Sequence, residues 1–228
     1  MSIELTWLGH ASWYLTIGKH KIVIDPFLTE NPSATAKPED VDADFVLITH
    51  GHFDHVADAA AIANRCNSQL VAIYEIATWF AEKHSVENTI GMNLGGGVDL
   101  PFGRLTMTLA HHSSQLPDGS YGGNPAGFVV EADGKRLYFA GDTALFGDMS
   151  LIGNGGLDLA VLPIGDLFTM GPADSVEACK LLEPKKVIPG HYNTWPPIEQ
   201  DAAAWAQVVS DGCEAEPVVA EVGKSISL

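Results

Sequence analysis

Short apolar runs bounded by glycine, proline, aspartate or asparagine recur along most of the chain. Runs of this length with such flanking residues are typical of buried or half-buried strands. The predicted strands are IELTWLG, WYLTIG, KIVIDPF, DFVLITH, QLVAIY, RLTMTLAH, GFVVEA, RLYFAGD, LDLAVLPIGD and KVIPGH.

Longer stretches that are typical of helices lie between some of these strands. They are HVADAAAIANRC, IATWFAEKHS, DSVEACKLLEP and IEQDAAAWAQVVSDG. Early hairpins therefore give way to alternating strands and helices. This order favours an α/β fold, classed as α+β by some schemes, in which packed sheets carry helices on the outside. The Pro- and Gly-containing stretch from Leu116 to Pro125 predicts a long mobile loop.

The length and the composition predict a single domain over residues 1–228, because 46% of the residues are hydrophobic and no linker divides the chain. The formal net charge of −17 and the scattered 12 Lys and Arg residues argue against a nucleic-acid partner. The first residues lack a basic start followed by an apolar run, so we expect neither export nor a membrane partner. Three widely separated cysteines suit reduced thiols and a cytoplasmic location.

Four predicted strands end in a potential metal ligand. DFVLITH ends in His50, TMTLAHH in His112, LYFAGD in Asp142 and KVIPGH in His191. Strand ends are rigid, and the loops that follow them leave space above a sheet, so a metal held there stays open to substrate. The regularity of these positions therefore predicts a metal site at one edge of the sheets.

The segment HGHFDH brings His50, His52, Asp54 and His55 together at a strand-to-helix turn. Side chains this close can point towards two neighbouring ions. Imidazole and carboxylate donors suit two divalent ions, with zinc or manganese expected before iron, nickel or cobalt. The absence of cysteine from the pattern disfavours a purely structural zinc site.

These motifs resemble the metallo-β-lactamase superfamily, because HGHFDH matches its signature and His112, Asp142 and His191 follow in its order. Longer stretches resemble small metal-dependent hydrolases of unknown substrate that are similar to L-ascorbate-6-phosphate lactonases. These stretches are DPFLTENP, GDTALFGDM, PIGDLFTMGP and HYNTWPPIEQD. The resemblance covers nearly the full chain. It implies a four-layer αβ/βα sandwich with two sheets face to face, helices outside and the metals at one edge.

The resemblance also implies how the ligands divide between two ions. The first ion would take His50, His52 and His112, the second Asp54, His55 and His191, with Asp142 between them. A hydroxide shared by the ions is the expected nucleophile, because coordination lowers the pKa of water from about 15.7 towards 7.

The expected reaction is hydrolysis of a small ester-type substrate, a lactone or a phosphoester. Asp54 is the expected catalytic residue, which would orient the nucleophile or shuttle a proton. Two divalent ions bring about four positive charges, whereas two aspartates and a hydroxide bring about three negative ones. We therefore expect an anionic small-molecule substrate.

One ligand position is ambiguous, because adjacent strand residues point to opposite faces and only one of His111 and His112 can face the site. We choose His112, because a histidine followed directly by Ser113 and Ser114 resembles the superfamily pattern.

Three further residues could support the ligands, namely His10, Asp25 and Asp166. His10 fits a hydrogen bond near the metals and a purely structural role equally well. Asp25 and Asp166 could accept hydrogen bonds from metal-ligating histidines or could steady turns.

Two alternative functions remain open from the sequence. A phosphodiesterase- or ribonuclease-like member of the superfamily is one, although a ribonuclease predicts basic arms that the chain lacks. A non-catalytic metal-binding protein is the other, although a structural site is normally closed by four protein ligands. The tendency of similar proteins to assemble also suggests a homo-oligomer.

Overall fold

The computed structural model describes residues 2–228. Strands of the described chain form two sheets of seven strands each. In chain order they are β1 Ile3–Gly9, β2 Ser12–Ile17, β3 His20–Ile24, β4 Phe45–Leu47, β5 Gln69–Ile73, β6 Thr89–Met92, β7 Gly97–Leu100, β8 Gly103–Leu109, β9 Ala126–Ala132, β10 Lys135–Phe139, β11 Leu157–Pro163, β12 Pro184–Gly190, β13 Glu216–Pro217 and β14 Ser225–Ser227.

Helices connect the strands and pack on the sheets. They are α1 Phe53–Val56, α2 Ala59–Cys66, α3 Tyr74–His84, α4 Met149–Gly153, α5 Pro172–Leu182 and α6 Ala202–Gly212. Helices α2 and α3 contact strands of the first sheet, whereas α5 and α6 contact strands of the second. Within residues 2–228, no helix has the length and apolar character that crossing a membrane requires.

The two sheets share one hydrophobic core. Leu5 and Leu15 of the first sheet and Phe128 of the second are fully buried in it. Between the sheets, Phe45 of β4 packs edge-on against Phe102, which directly precedes β8, with ring centroids 4.8 Å apart. Two mixed sheets with helices outside form the αβ/βα sandwich that the sequence predicted, and this prediction is confirmed.

The first sheet has the order β14-β1-β2-β3-β4-β5-β6. Strands β1 to β3 pair antiparallel, and β3 to β6 pair parallel, so β1 runs in the same direction as β3 and β4. The residues after these three strands therefore leave the sheet at the same edge. They are His10, Asp25 and the segment that begins at His50.

The second sheet has the order β13-β12-β11-β10-β9-β8-β7. Strands β10, β11 and β12 are parallel, and β8 runs with them because both β8 and β10 pair antiparallel with β9. The carboxyl ends of these four strands again meet at one edge. They lead into His112, Asp142, Asp166 and His191.

All the strands predicted from apolar runs are present, but β6, β7, β13 and β14 were missed. These four strands are the outer strands of the two sheets. An outer strand pairs on one side only and is poorly buried, so it carries little of the apolar signal that reveals a strand. Helix α4, with five residues, was also missed.

One predicted helix is split, because HVADAAAIANRC begins in α1 and continues in α2. Asp58 lies between them, and its carboxylate accepts hydrogen bonds from the backbone N–H groups of Leu28 and Thr29 at 2.6 and 2.9 Å. These two hydrogen bonds connect the loop after β3 to the segment that carries HGHFDH. Asp58, at the break between the two helices, therefore helps to hold the HGHFDH segment in place.

Gly141 forms the turn that presents Asp142 to the edge. Its φ is +62°, and a Cβ there would lie 2.7 Å from the backbone oxygen of Ala126. We expect Gly141→Ala to lower the free energy of unfolding by about 1–3 kcal/mol, through backbone strain and this clash. Urea denaturation of metal-free protein measures the change. Gly147→Ala is the matched control, because no atom lies within 4 Å of its Cβ position. Equal losses in both variants would contradict the explanation.

Candidate metal centre

Asp142 lies at the centre of a cluster of histidines at the common edge of the sheets. Its Oδ2 is 3.0 Å from His191 Nε2, 3.4 Å from His55 Nε2, 3.6 Å from His112 Nε2 and 3.9 Å from His50 Nε2. These histidines come from both sheets. One carboxylate oxygen is therefore close to donors of both expected ligand groups.

The first group consists of three nitrogens that face one another. His52 Nδ1 is 3.0 Å from His50 Nε2 and 3.3 Å from His112 Nε2. These three side chains could hold one metal ion. His111, the residue not chosen, stacks on Phe146 with ring centroids 4.9 Å apart. The structure thus brings His112, and not His111, to the cluster.

The second group surrounds the carboxylate of Asp54. Its Oδ2 is 3.8 Å from His191 Nε2 and 3.9 Å from His55 Nε2. His10 Nε2 approaches the same oxygen at 3.0 Å. These four residues could hold a second ion, although His10 was expected only as a supporting residue.

The spacing of these donors fits divalent ions. Zinc binds histidine nitrogen at about 2.0–2.1 Å, which separates two donors of a tetrahedral site by about 3.3 Å. The donor pairs of the first group are 3.0 and 3.3 Å apart. In addition, His55 Nε2 and Asp142 Oδ1 are buried and have no hydrogen-bond partner among the described residues. A cation would satisfy atoms that the protein leaves unpaired.

The electrostatics of the cluster also favour a cation. Burial lowers the pKa of His191, but the Asp142 and Asp54 carboxylates together outweigh burial and raise that pKa to about 9. Burial likewise opposes protonation of His55, yet Asp142, Asp25 and Asp54 raise its pKa well above the usual value. The buried carboxylates thus draw positive charge into the site. Bound divalent ions would supply that charge in place of protons.

Asp25 orients two of the expected ligands from behind. Its Oδ2 accepts a 2.8 Å hydrogen bond from His55 Nδ1 and a 2.6 Å bond from Thr49 Oγ1. The Thr49 oxygen can then accept from His50 Nδ1, which lies 3.0 Å away. Both rings are thereby held with Nε2 facing the cluster, where that nitrogen would lose its proton to bind a metal. The sequence pointed to Asp25 but gave no sign of Thr49, because threonine is common at strand ends.

His10 supports Asp54 in a comparable way. Burial, the largest cause, lowers the pKa of His10 to about 4, so its ring is neutral and carries one proton. That proton, on Nε2, is donated to Asp54, and Nδ1 accepts from Thr194 Oγ1 at 2.8 Å. The ring is fully buried, with its centroid 4.1 Å from that of His191. Sequence reasoning missed Thr194 as the partner of His10.

Two serines that follow His112 contact the HGHFDH segment. Ser113 Oγ lies 3.3 Å from His52 Nε2, the nitrogen that points away from the first group. Ser114 Oγ accepts from the backbone N–H of Gly51 at 3.0 Å and donates to the oxygen of Gly122 at 2.9 Å. The HGHFDH segment is therefore tied to the loop that was predicted as mobile.

Asp166 is not brought to the cluster. It lies in the turn after β11 with a φ of +66°, and its side chain is exposed. Its hydrogen bonds within the described chain are made by the main chain, with Thr169 and Met170. The left-handed turn directs the chain away before the carboxylate can reach a ligand. The structure therefore gives no support to the expected role of Asp166.

A cavity of about 700 Å³ opens beside the cluster. Its lining includes His52 and Asp54 of the cluster, together with Phe168 and Trp195. We call it the site cavity. Its volume lies in the range of about 300–1,000 Å³ that is typical of small-molecule sites.

An αβ/βα sandwich with histidines and aspartates clustered at one edge defines the class of metallo-β-lactamase-fold hydrolases. The model of the beta-lactamase superfamily domain matches residues 20–192. A UPF0173 metal-dependent hydrolase of Thermus thermophilus is 55% identical over 205 residues, which cover 90% of each chain. One from Pelotomaculum thermopropionicum is 50% identical over 231 residues, covering 99% of this chain and 100% of the relative. The chain therefore belongs to the beta-lactamase superfamily and, within it, to the UPF0173 metal-dependent hydrolases.

A solved structure supports the same assignment. Igni18, a metallo hydrolase from the archaeon Ignicoccus hospitalis, superposes with a TM-score of 0.91 at 36% identity, over 100% of this chain and 99% of that one. The predicted superfamily and the prediction of a metal-dependent hydrolase are both confirmed. None of these names specifies a lactonase, so the narrower likeness to lactonases stays a hypothesis.

Asp25 provides a test of the support around the cluster. We expect Asp25→Asn to weaken divalent-metal binding about 10–100-fold, because the carboxylate that orients His55 and His50 is lost. Competition with a chromogenic chelator measures the affinity, and thermal unfolding verifies that the variant is folded. Asp166→Asn is the matched control and should bind metal as tightly as the wild type. Unchanged affinity in folded Asp25→Asn would contradict the orienting role.

Proposed function

We propose that the protein hydrolyses a small ester-type substrate, a lactone or a phosphoester, with two divalent ions held by the cluster. The observation that carries the proposal is the pair of donor groups that share Asp142 beside the site cavity. The first ion would be held by His50, His52 and His112. The second would be held by Asp54, His55 and His191.

Two bound divalent ions would supply a nucleophile by lowering the pKa of water and would polarise the scissile oxygen. The protein residues perform the remaining tasks. Asp142 holds the two ligand groups together, because its Oδ2 is within 4 Å of nitrogens from both. Asp25, acting directly on His55 and through Thr49 on His50, fixes the proton positions on these rings.

Asp54 is the proposed catalytic residue. It is largely buried but lines the site cavity, so part of its carboxylate meets an incoming substrate. His10 donates to Oδ2 and thereby restricts the rotation of the carboxylate. Asp54 is thus placed to orient a water molecule or to accept a proton from it.

A ribonuclease-like activity has no comparable support. The residues that line the site cavity include no Lys or Arg within the described chain. A polynucleotide backbone requires several such side chains along its path. A closed, non-catalytic site is not favoured either, because the cavity gives small molecules access to His52 and Asp54.

The adjacent histidines after β8 provide the sharpest test of this proposal. We expect His112→Ala to lower kcat/KM more than about a hundredfold, because loss of a ligand should cost more than loss of a residue that orients one. His111→Ala should keep both metal content and activity, because its ring stacks on Phe146 outside the cluster. The assay uses lactones, phosphodiesters and thioesters with zinc- or manganese-loaded protein. His52→Ala and chelated protein serve as inactive controls.

Two results would contradict the proposal. In the first, folded protein with two bound ions hydrolyses none of the ester classes. In the second, His111→Ala and His112→Ala lose metal and activity to the same extent. Metal analysis and thermal unfolding of each variant separate loss of a ligand from loss of the fold.

A further inference from the structure

We propose that the site cavity selects an uncharged substrate that carries an aryl or alkyl group beside its scissile ester or lactone. This inference names the substrate class and therefore rests on the proposed function. It differs from the sequence-based expectation of an anionic substrate, which was drawn from the charges of the metals, two aspartates and a hydroxide.

Apolar side chains form most of the cavity wall. They are Phe53, Leu116, Pro117, Phe168, Trp195 and Pro197. Two of them are unusually exposed for aromatic residues, because 55% of the Phe53 surface and 53% of the Phe168 surface face solvent. Exposed aromatic surface beside a reactive centre is stabilised when an apolar ligand covers it. The cavity wall therefore matches a hydrophobic group better than a sugar or a phosphate.

The site cavity exposes residues of the metal cluster and aromatic side chains to the same space. His52 and Asp54 belong to the metal cluster, and Gln115 is the only other lining residue with a polar side chain among the described residues. Phe168 comes from the loop between β11 and α5, and Trp195 from the loop after β12. A substrate with its ester at the cluster would thus place its remaining atoms against the aromatic rings.

No positive side chain lines the cavity in the described chain. All three arginines are held elsewhere, because Arg65 pairs with Asp42, Arg104 with Asp99 and Arg136 with Glu131. Protein sites that bind phosphate or carboxylate groups commonly provide such cations. A phosphorylated substrate would therefore find no charged partner on the cavity wall.

Negative charge around the cluster also argues against an anionic substrate. Three carboxylates, those of Asp25, Asp54 and Asp142, are buried at the cluster, and that of Asp25 is paired with His55. Together with the hydroxide of the proposed function, three carboxylates offset all of the about four positive charges that two divalent ions would bring. The site thus offers an anion little net attraction.

Phe168 and its neighbour Leu167 allow a matched test. Both side chains are exposed, at 53% and 65%, so truncation of either should leave the fold intact, but only Phe168 lines the cavity. Binding to metal-loaded protein is measured by calorimetry with three probes. A phenyl-substituted cyclopentanone mimics an aryl lactone but cannot be hydrolysed, cyclopentanone lacks the aryl group, and phenyl phosphate carries the charge.

We expect the phenyl ketone to bind more tightly than cyclopentanone and phenyl phosphate. Phe168→Ala should weaken phenyl ketone binding roughly tenfold, whereas Leu167→Ala should leave it unchanged. In turnover assays, a phenyl-substituted butyrolactone should have a higher kcat/KM than butyrolactone, and Phe168→Ala should remove most of that advantage through KM. Tighter binding of phenyl phosphate, or equal binding by wild type and Phe168→Ala, would overturn the inference.

The two proposals can fail separately. Selective binding of the phenyl ketone without hydrolysis of any ester would refute the proposed function and support the apolar subsite. Hydrolysis with a preference for phosphorylated substrates would support the function and refute the subsite.

Discussion

The burial of three carboxylates at the common edge of two sheets is the constraint on which the site depends. Asp25, Asp54 and Asp142 are each less than one-tenth exposed. Removing a carboxylate from water costs several kcal/mol unless positive charge or hydrogen bonds compensate for it. Here the compensation comes from histidines that belong to both sheets, chiefly His55 and His191. The packing of the sandwich and the electrostatics of the cluster are therefore coupled, because separating the sheets would leave these charges unpaired.

The topology explains why so many functional groups meet in so small a volume. Parallel strands end at one edge, and the two sheets face each other, so most strand ends contribute only one or two side chains, while the segment after β4 contributes four. The hydrogen bonds that Asp25 accepts from His55 and, through Thr49, from His50 then fix rings that the strands have already brought close. The long-range arrangement comes from the core, and the final orientation of the ligands comes from a few buried polar bonds.

The sequence predicted the features that depend on the core better than those that depend on individual buried hydrogen bonds. Central strands were found because both faces are buried and their apolar runs are clear, whereas the poorly buried outer strands β6, β7, β13 and β14 were not. The residues brought to the cluster could be anticipated because histidine and aspartate at strand ends are rare in combination. Thr49 and Thr194 could not be anticipated, because only the folded structure shows which threonine hydroxyl lies beside a histidine of the cluster. The two roles that the sequence left open for Asp166 could not be separated, because a left-handed turn, which the sequence does not reveal, directs it outward.

The chemistry and the selectivity of this site arise from different parts of the chain. Strand ends carry the cluster, so its composition is tied to the core, whereas the walls of the site cavity come largely from loops, such as those that contain Leu116 and Phe168. Loops can change without disturbing the sheets, which is why one fold supports hydrolysis of many substrates. A shared fold consequently carries little information about the substrate. Phe168 and Trp195 of the aromatic wall come from such loops, and the uncharged substrate that we propose rests on this wall.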